Sequence, residues 1–106
     1  MITEIVSFNR TPGMDRAEMV RDAAGTFDRW TDFPGLVRKM FMRDPDTLAT
    51  KGIYLWETLE DANKGHDEAW LERAEAHWGN RPTLARYDCF LILENPGGKI
   101  TECAEG

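Results

Sequence analysis

Apolar and polar positions along the chain divide it into four strand-like and two helix-like segments. Residues Ile2 to Asn9 alternate and carry β-branched and aromatic side chains at Ile5, Val6 and Phe8, which predicts a strand. Thr11-Pro12-Gly13 breaks it. Asp15 with Glu18 three residues on is a capping-box pattern, so a helix should open there. Met19, Ala23, Phe27 and Trp30 give that helix one apolar stripe. Gly25 interrupts it at a cost of about 1 kcal/mol, and Phe33-Pro34-Gly35 ends it. Leu36 to Arg43 reads as a second strand, Asp44-Pro45-Asp46-Thr47 as a turn, and Gly52 to Thr58 as a third strand paired with the second. Thr58 with Asp61 caps a second helix, which Gly65 kinks or splits, leaving the better part from Asp67 to Trp78. Gly79 and Pro82 stop it. Leu84 to Glu94 is the last predicted strand, and Asn95-Pro96-Gly97-Gly98 opens a polar tail. Residues 1–95 thus form one domain, and 96–106 a tail with little of its own to bury.

The order β-α-β-β-α-β is the split βαβ, or ferredoxin-like, arrangement of an α+β protein. Right-handed crossovers place both helices on one face of a four-stranded antiparallel sheet. The strands are apolar on both alternating registers. Ile53 and Leu55 point one way and Tyr54 and Trp56 the other, while Cys89, Leu91 and Leu93 oppose Phe90 and Ile92. Two helices cover one side only, so the second side needs a partner, and a second copy is the simplest. The expected assembly is a homodimeric α+β barrel.

Composition narrows the function classes. A chain of 106 residues with 42% hydrophobic and 30% charged residues fits one folded domain. No apolar run approaches the roughly 18 residues that span a bilayer, and the N-terminus lacks a signal-peptide pattern. A net charge of −6 with no basic cluster disfavours nucleic acid and anionic lipid. The expectation is a cytoplasmic protein with neither as a partner. There Cys89 and Cys103 stay reduced, and neither has metal-site spacing.

His77 is the first candidate for chemistry. Trp70, Ala74, His77 and Trp78 fall at i, i+4, i+7 and i+8, which predicts that His77 faces the sheet. There it could move protons or bind a ligand oxygen. The plainer alternative is an imidazole bonded to a carbonyl or favoured by the helix C-terminal dipole. His66, among charged residues, reads as a surface residue. Tyr54, Trp56 and Trp70, with Trp30 and Trp78, offer stacking surfaces to a planar aromatic molecule, or simply fill the core and an interface. Arg38 and Lys39 point to opposite faces of the second strand. One of them could reach the pocket mouth and hold an anionic group, but an edge strand uses such charges to block stray pairing, and edge protection is the preferred explanation. Asp88 reads as a satisfied interface carboxylate rather than a base. No nucleophile elbow, phosphate loop, dinucleotide fingerprint or HExxH is present.

The stretch Gly52-Ile-Tyr-Leu-Trp-Glu-Thr-Leu-Glu-Asp-Ala62, preceded by Pro34-Gly35-Leu36-Val37-Arg38-Lys39-Met40, resembles the small YdhR-like monooxygenases of the dimeric α+β barrel superfamily. The likeness continues in Glu68-Ala-Trp70, Trp78-Gly79 and Leu93-Glu94-Asn95, and spans residues 34–95. It is a packing signature without a catalytic set, and the superfamily hosts several chemistries. What it implies is a homodimer with a pocket between sheet and helices in each subunit. With no flavin, nicotinamide or metal motif, an oxygenase of this kind would be cofactor-free and act on a small aromatic or polyketide-like substrate. His77 and Tyr54 would then handle or orient protons, with Asn9, Trp56, Trp70 and Lys39 lining the pocket. In haem-degrading relatives an asparagine at the end of the first strand works with a tryptophan and a histidine. Asn9 holds that place, but Trp70 and His77, seven residues apart, do not keep the helical spacing. The alternative function is a non-catalytic small-molecule binding or stress-response protein of the same fold.

Overall fold

A computed structural model describes residues 1–8 and 13–106. Its elements run β1 (Ile2–Ser7), α1 (Arg16–Ala24), α2 (Phe27–Trp30), β2 (Leu36–Arg43), β3 (Thr50–Trp56), α3 (Leu59–Gly65), α4 (Glu68–Trp78), β4 (Thr83–Asp88), β5 (Leu91–Glu94) and β6 (Lys99–Glu102). The fold is α+β. One antiparallel sheet has the strand order β2-β3-β1-β4, compatible with a ferredoxin-like arrangement, and β5 and β6 form a separate hairpin.

Local chemistry sets the helix boundaries. The Asp15 carboxylate accepts from the Glu18 backbone N–H at 2.8 Å, and the Glu18 side chain accepts from the Asp15 N–H, which closes the capping box. Gly25 ends α1, and the single turn of α2 follows it. Thr58 caps α3 through the Asp61 N–H. His66 stands just past the end of α3, and Asp67 caps α4 through the Trp70 N–H at 2.8 Å. Gly79 closes α4 at φ +80°, a left-handed conformation that a Cβ would strain.

Alternation along the strands gives the sheet two unlike faces. Ile2, Glu4 and Val6 of β1 and Tyr54 and Trp56 of β3 are buried on the side of the helices. There Trp30 and Ala62 complete the core, with Phe8, Phe33, Leu36, Trp70 and Leu84 packed around it. The register aligns Lys39, Tyr54, Glu4 and Arg86 in one row across all four strands of this face. The opposite face carries a row of Met40, Ile53, Ile5 and Ala85 and another of Arg38, Leu55, Thr3 and Tyr87.

The last strand departs from expectation. The stretch 84–94 does not run unbroken: β4 ends at Asp88 and a separate strand starts at Leu91. The polar tail is also ordered. Lys99–Glu102 pairs with Leu91–Glu94, the Cys103 N–H donates to the Phe90 carbonyl, and the N-terminal ammonium donates to the Ala104 carbonyl. Backbone pairing, which composition does not report, ties these residues down. The chain reaches the hairpin past the start of β1, where the Cys89 N–H donates to the Met1 carbonyl at 2.8 Å. In keeping with that extension, the radius of gyration is 14.8 Å, against about 13 Å for a compact chain of this length. Cys89 and Cys103 are free thiols.

Candidate functional site

The helix-side row across the sheet holds a polar group buried in the core. Glu4 is fully buried, and each of its oxygens is used. Oε1 accepts from Trp56 Nε1 at 3.0 Å and lies 2.6 Å from His66 Nδ1, while Oε2 accepts from Arg86 Nε at 2.7 Å. Arg86 also donates to the Asn63 side chain at 2.6 Å. Burial drives the Glu4 carboxyl upward, but the bonds and charge supplied by His66, Arg86 and Trp56 outweigh it and hold it below its ordinary value. For His66 burial prevails over the carboxylate, with Lys39 and Arg29 adding to it, so its value falls. At neutral pH the network is therefore Arg86 cation, Glu4 anion and neutral imidazole with Nδ1–H donating to Glu4. Its charges balance, which makes burial tolerable.

That leaves His66 Nε2 buried with no hydrogen-bond partner. Aromatic rings surround the imidazole: Trp70 at 4.4 Å between centroids, Tyr54 at 4.5 Å and Trp30 at 5.1 Å. An unpaired buried acceptor costs about 1–3 kcal/mol.

Beyond these rings lies a cavity of about 520 Å³ between α1, α2, α4 and the β2–β3 hairpin. Its wall includes Phe8, Trp30, Phe41, Tyr54, Trp70 and Trp78, with Met19 and Ala23 of α1 opposite. No residue of α1 is buried. The apolar stripe of this helix thus faces open volume rather than core. Phe8 meets Trp78 edge-on at 4.9 Å and Trp70 at 6.5 Å, and Trp30 meets Tyr54 at 5.3 Å. Gly52 lets the Tyr54 ring lie flat along the strand, since a Cβ there would stand 2.9 Å from Tyr54 Cε1. Lys39 reaches the same wall. Its ammonium sits 4.1 Å from the Phe41 centroid, 4.8 Å from Tyr54 and 5.1 Å from Trp30. Burial, assisted by the Arg29 charge, brings the amine down to about 8. Burial likewise raises the Tyr54 phenol, so Tyr54 stays protonated and can only donate or accept a hydrogen bond.

Of the residues expected at a pocket, Tyr54, Trp70 and Lys39 meet on its wall. Trp56 does not. It is wholly buried in the core, and Gly65 packs on its ring. Asn9 lies outside the described residues. The expectation that His77 faces the sheet is corrected: His77 is exposed, in the last turn of α4, with its ring against Trp78. The inward face of α4 is centred on Ala74, with Leu71 and Trp78 on one flank and Trp70 on the other, so His77 falls just past the edge. The expectation that His66 is a surface residue is also corrected, since it is 3% exposed. Arg38 and Asp88 are exposed.

Glu4, His66 and Arg86 are absent from the sequence-based candidates. Two were legible by alternation, because Glu4 falls between inward Ile2 and Val6, and Arg86 shares a face with Leu84. His66 carried no such signal, because it sits in the break between two helices. Among the described residues no group of three or more His, Cys, Asp or Glu could hold a metal, and no helix is long and apolar enough to cross a membrane. A scan against protein-family models finds no match to the chain, and a search of curated proteins finds no similar sequence.

Proposed function

We propose that the protein is a homodimeric α+β barrel whose cavity binds a small planar aromatic molecule. The observation that carries the reading is the cavity itself: about 520 Å³, walled by edge-on rings, under a helix with no buried residue. That volume lies in the range of small-molecule sites, and its apolar wall with a few polar groups suits a ring system. Dimerisation is supported by the uncovered sheet face, where Met40 and Tyr87 are 44% and 58% exposed, and by Phe90 and Leu93 beside it at 68% and 62%.

The enzymatic form of this proposal is cofactor-independent monooxygenation of a small aromatic or polyketide-like substrate, in line with the YdhR-like resemblance. There a phenol or its keto tautomer loses a proton, and the resulting carbanion adds to dioxygen at carbon. One oxygen atom enters the product quinone and the other leaves as water. One observation favours the second reading, binding without turnover. His66, the imidazole with a free lone pair, is not on the cavity wall but behind Trp30, Tyr54 and Trp70.

Titration with 2-naphthol should quench tryptophan fluorescence and raise the melting temperature by mass action. Light scattering should give about 24 kDa, twice the 12.1 kDa chain. Oxygen uptake with anthrone separates turnover from sequestration. No quenching and no thermal shift at millimolar 2-naphthol would sink the pocket, and a 12.1 kDa particle would sink the dimer.

A further inference from the structure

The cavity is basic, although the chain is acidic. Among the described residues it is bordered by Arg16, Arg29, Lys39 and Arg43, against the single carboxylate of Asp22, while the whole chain carries a net −6. Lys51 also borders it, but its ammonium is turned to Ser7 Oγ on the far face of the sheet, 3.1 Å away. Lys39 is the cation drawn furthest in among the rings of the wall. Its ammonium stands among three rings, and no carboxylate among the described residues pairs with it. The nearest acid in its own row is Glu4, two strands away and so roughly 10 Å off. Both Glu4 oxygens are already taken by His66, Trp56 and Arg86. Arg29, by contrast, is anchored: it donates to the Gly65 carbonyl at 2.9 Å and lies over Trp30. A cation held among rings without a counter-charge loses hydration that the ring faces replace only in part. An incoming anion would replace it.

We infer that the ligand is an aromatic anion, a ring system carrying a carboxylate or phenolate, whose charge sits on Lys39 while its plane stacks on the Trp30, Tyr54 and Trp70 wall. This deepens the proposed function and rests on it. Edge protection does not account for Lys39, since its side chain turns inward over Trp30 and Tyr54. A ligand that arrives ionised also needs no base in the cavity, so the separation of His66 is no obstacle to its use.

The groups that face Lys39 are Arg29 from α2, Tyr54 from β3 and His66 from the α3–α4 break. Arg29 stays charged and Tyr54 protonated, and His66 is neutral above pH 7, so Lys39 governs the pH response in the alkaline range. Its amine loses its proton near pH 8 when free. Anion binding favours the ammonium, so affinity must fall as pH rises through that value.

The test compares 2-naphthoate with 2-naphthamide, which share a ring system and differ in charge, by calorimetry on the intact protein. At pH 7 naphthoate should bind at least tenfold tighter. Lys39→Met should remove that preference and leave amide affinity within about twofold. In the wild type, naphthoate affinity should weaken about tenfold between pH 7.5 and 9.5 while amide affinity holds, a readout independent of how the variant folds. Equal affinities for the two probes, or a preference that survives Lys39→Met or shows no pH dependence, would overturn the inference and leave the pocket reading standing. If neither probe binds the wild type, both fall.

Discussion

Replacing Glu4 by Gln tests whether the buried carboxylate holds the site together. A glutamine has the same shape but offers one acceptor oxygen and an NH₂ group. In the native arrangement one oxygen serves Trp56 and His66, and the other serves Arg86. Whichever way the amide turns, its NH₂ meets at least one N–H donor, and the charge-assisted bond to Arg86 is weakened or lost. Such a bond contributes about 1.5–3 kcal/mol. The Arg86 side chain is 24% exposed and can turn to water, so the larger cost of a stranded buried charge does not apply. For a domain of this size each kcal/mol shifts Tm by about 4 °C, which gives a fall of roughly 6–12 °C at pH 7 by circular dichroism melting. The pH profile adds a second signature. Glu4 and His66 both lie below their ordinary values of 4.5 and 6.5, so the folded protein binds fewer protons than the unfolded chain. Wild-type stability must therefore fall as pH drops, first below about 6.5 and again below about 4.5. Glu4→Gln should make the second fall shallower, since the amide does not titrate, while Asp44, also held below its ordinary value by the Thr47 and Asp46 N–H groups, keeps its own part. A variant melting within about 2 °C of wild type at pH 7 would refute the network as a structural element.

Two further outcomes concern packing. Gly65→Ala would place a Cβ 2.3 Å from Trp56 Cη2, so it should cost about 1–3 kcal/mol and lower Tm well beyond any effect of Gly25→Ala, which meets only a carbonyl at 3.3 Å. Deleting residues 99–106 removes β6 and the carbonyls of Ala104 and Gly106, which accept from the Met1 ammonium and the Leu59 N–H. Thermal melting should therefore drop by several degrees, and unchanged melting would show that the hairpin adds nothing to the domain.

Element order as far as β4, the caps and the helix breaks were determined by the sequence alone. Asp15 with Glu18, Thr58 with Asp61 and the glycines at 25 and 79 act through neighbours a few residues away, so local pattern carries the whole signal. The two apolar registers of β3 were equally legible, because a strand's period is fixed by its backbone. Tertiary structure decided what several elements do together. Where β4 stops and whether the tail pairs depend on which backbone groups find partners, and polar composition says nothing about that. The choice between the two histidines was likewise made in three dimensions. His77 lies one step off a helix stripe whose centre is set by packing against the sheet, so a small rotation moves it into solvent. His66 shows no periodicity, and its burial follows from where the break between α3 and α4 falls, against Glu4, 62 residues away. Lys39 and Tyr54 became one site for the same reason: only strand pairing aligns them in a row and sets them beneath Trp30.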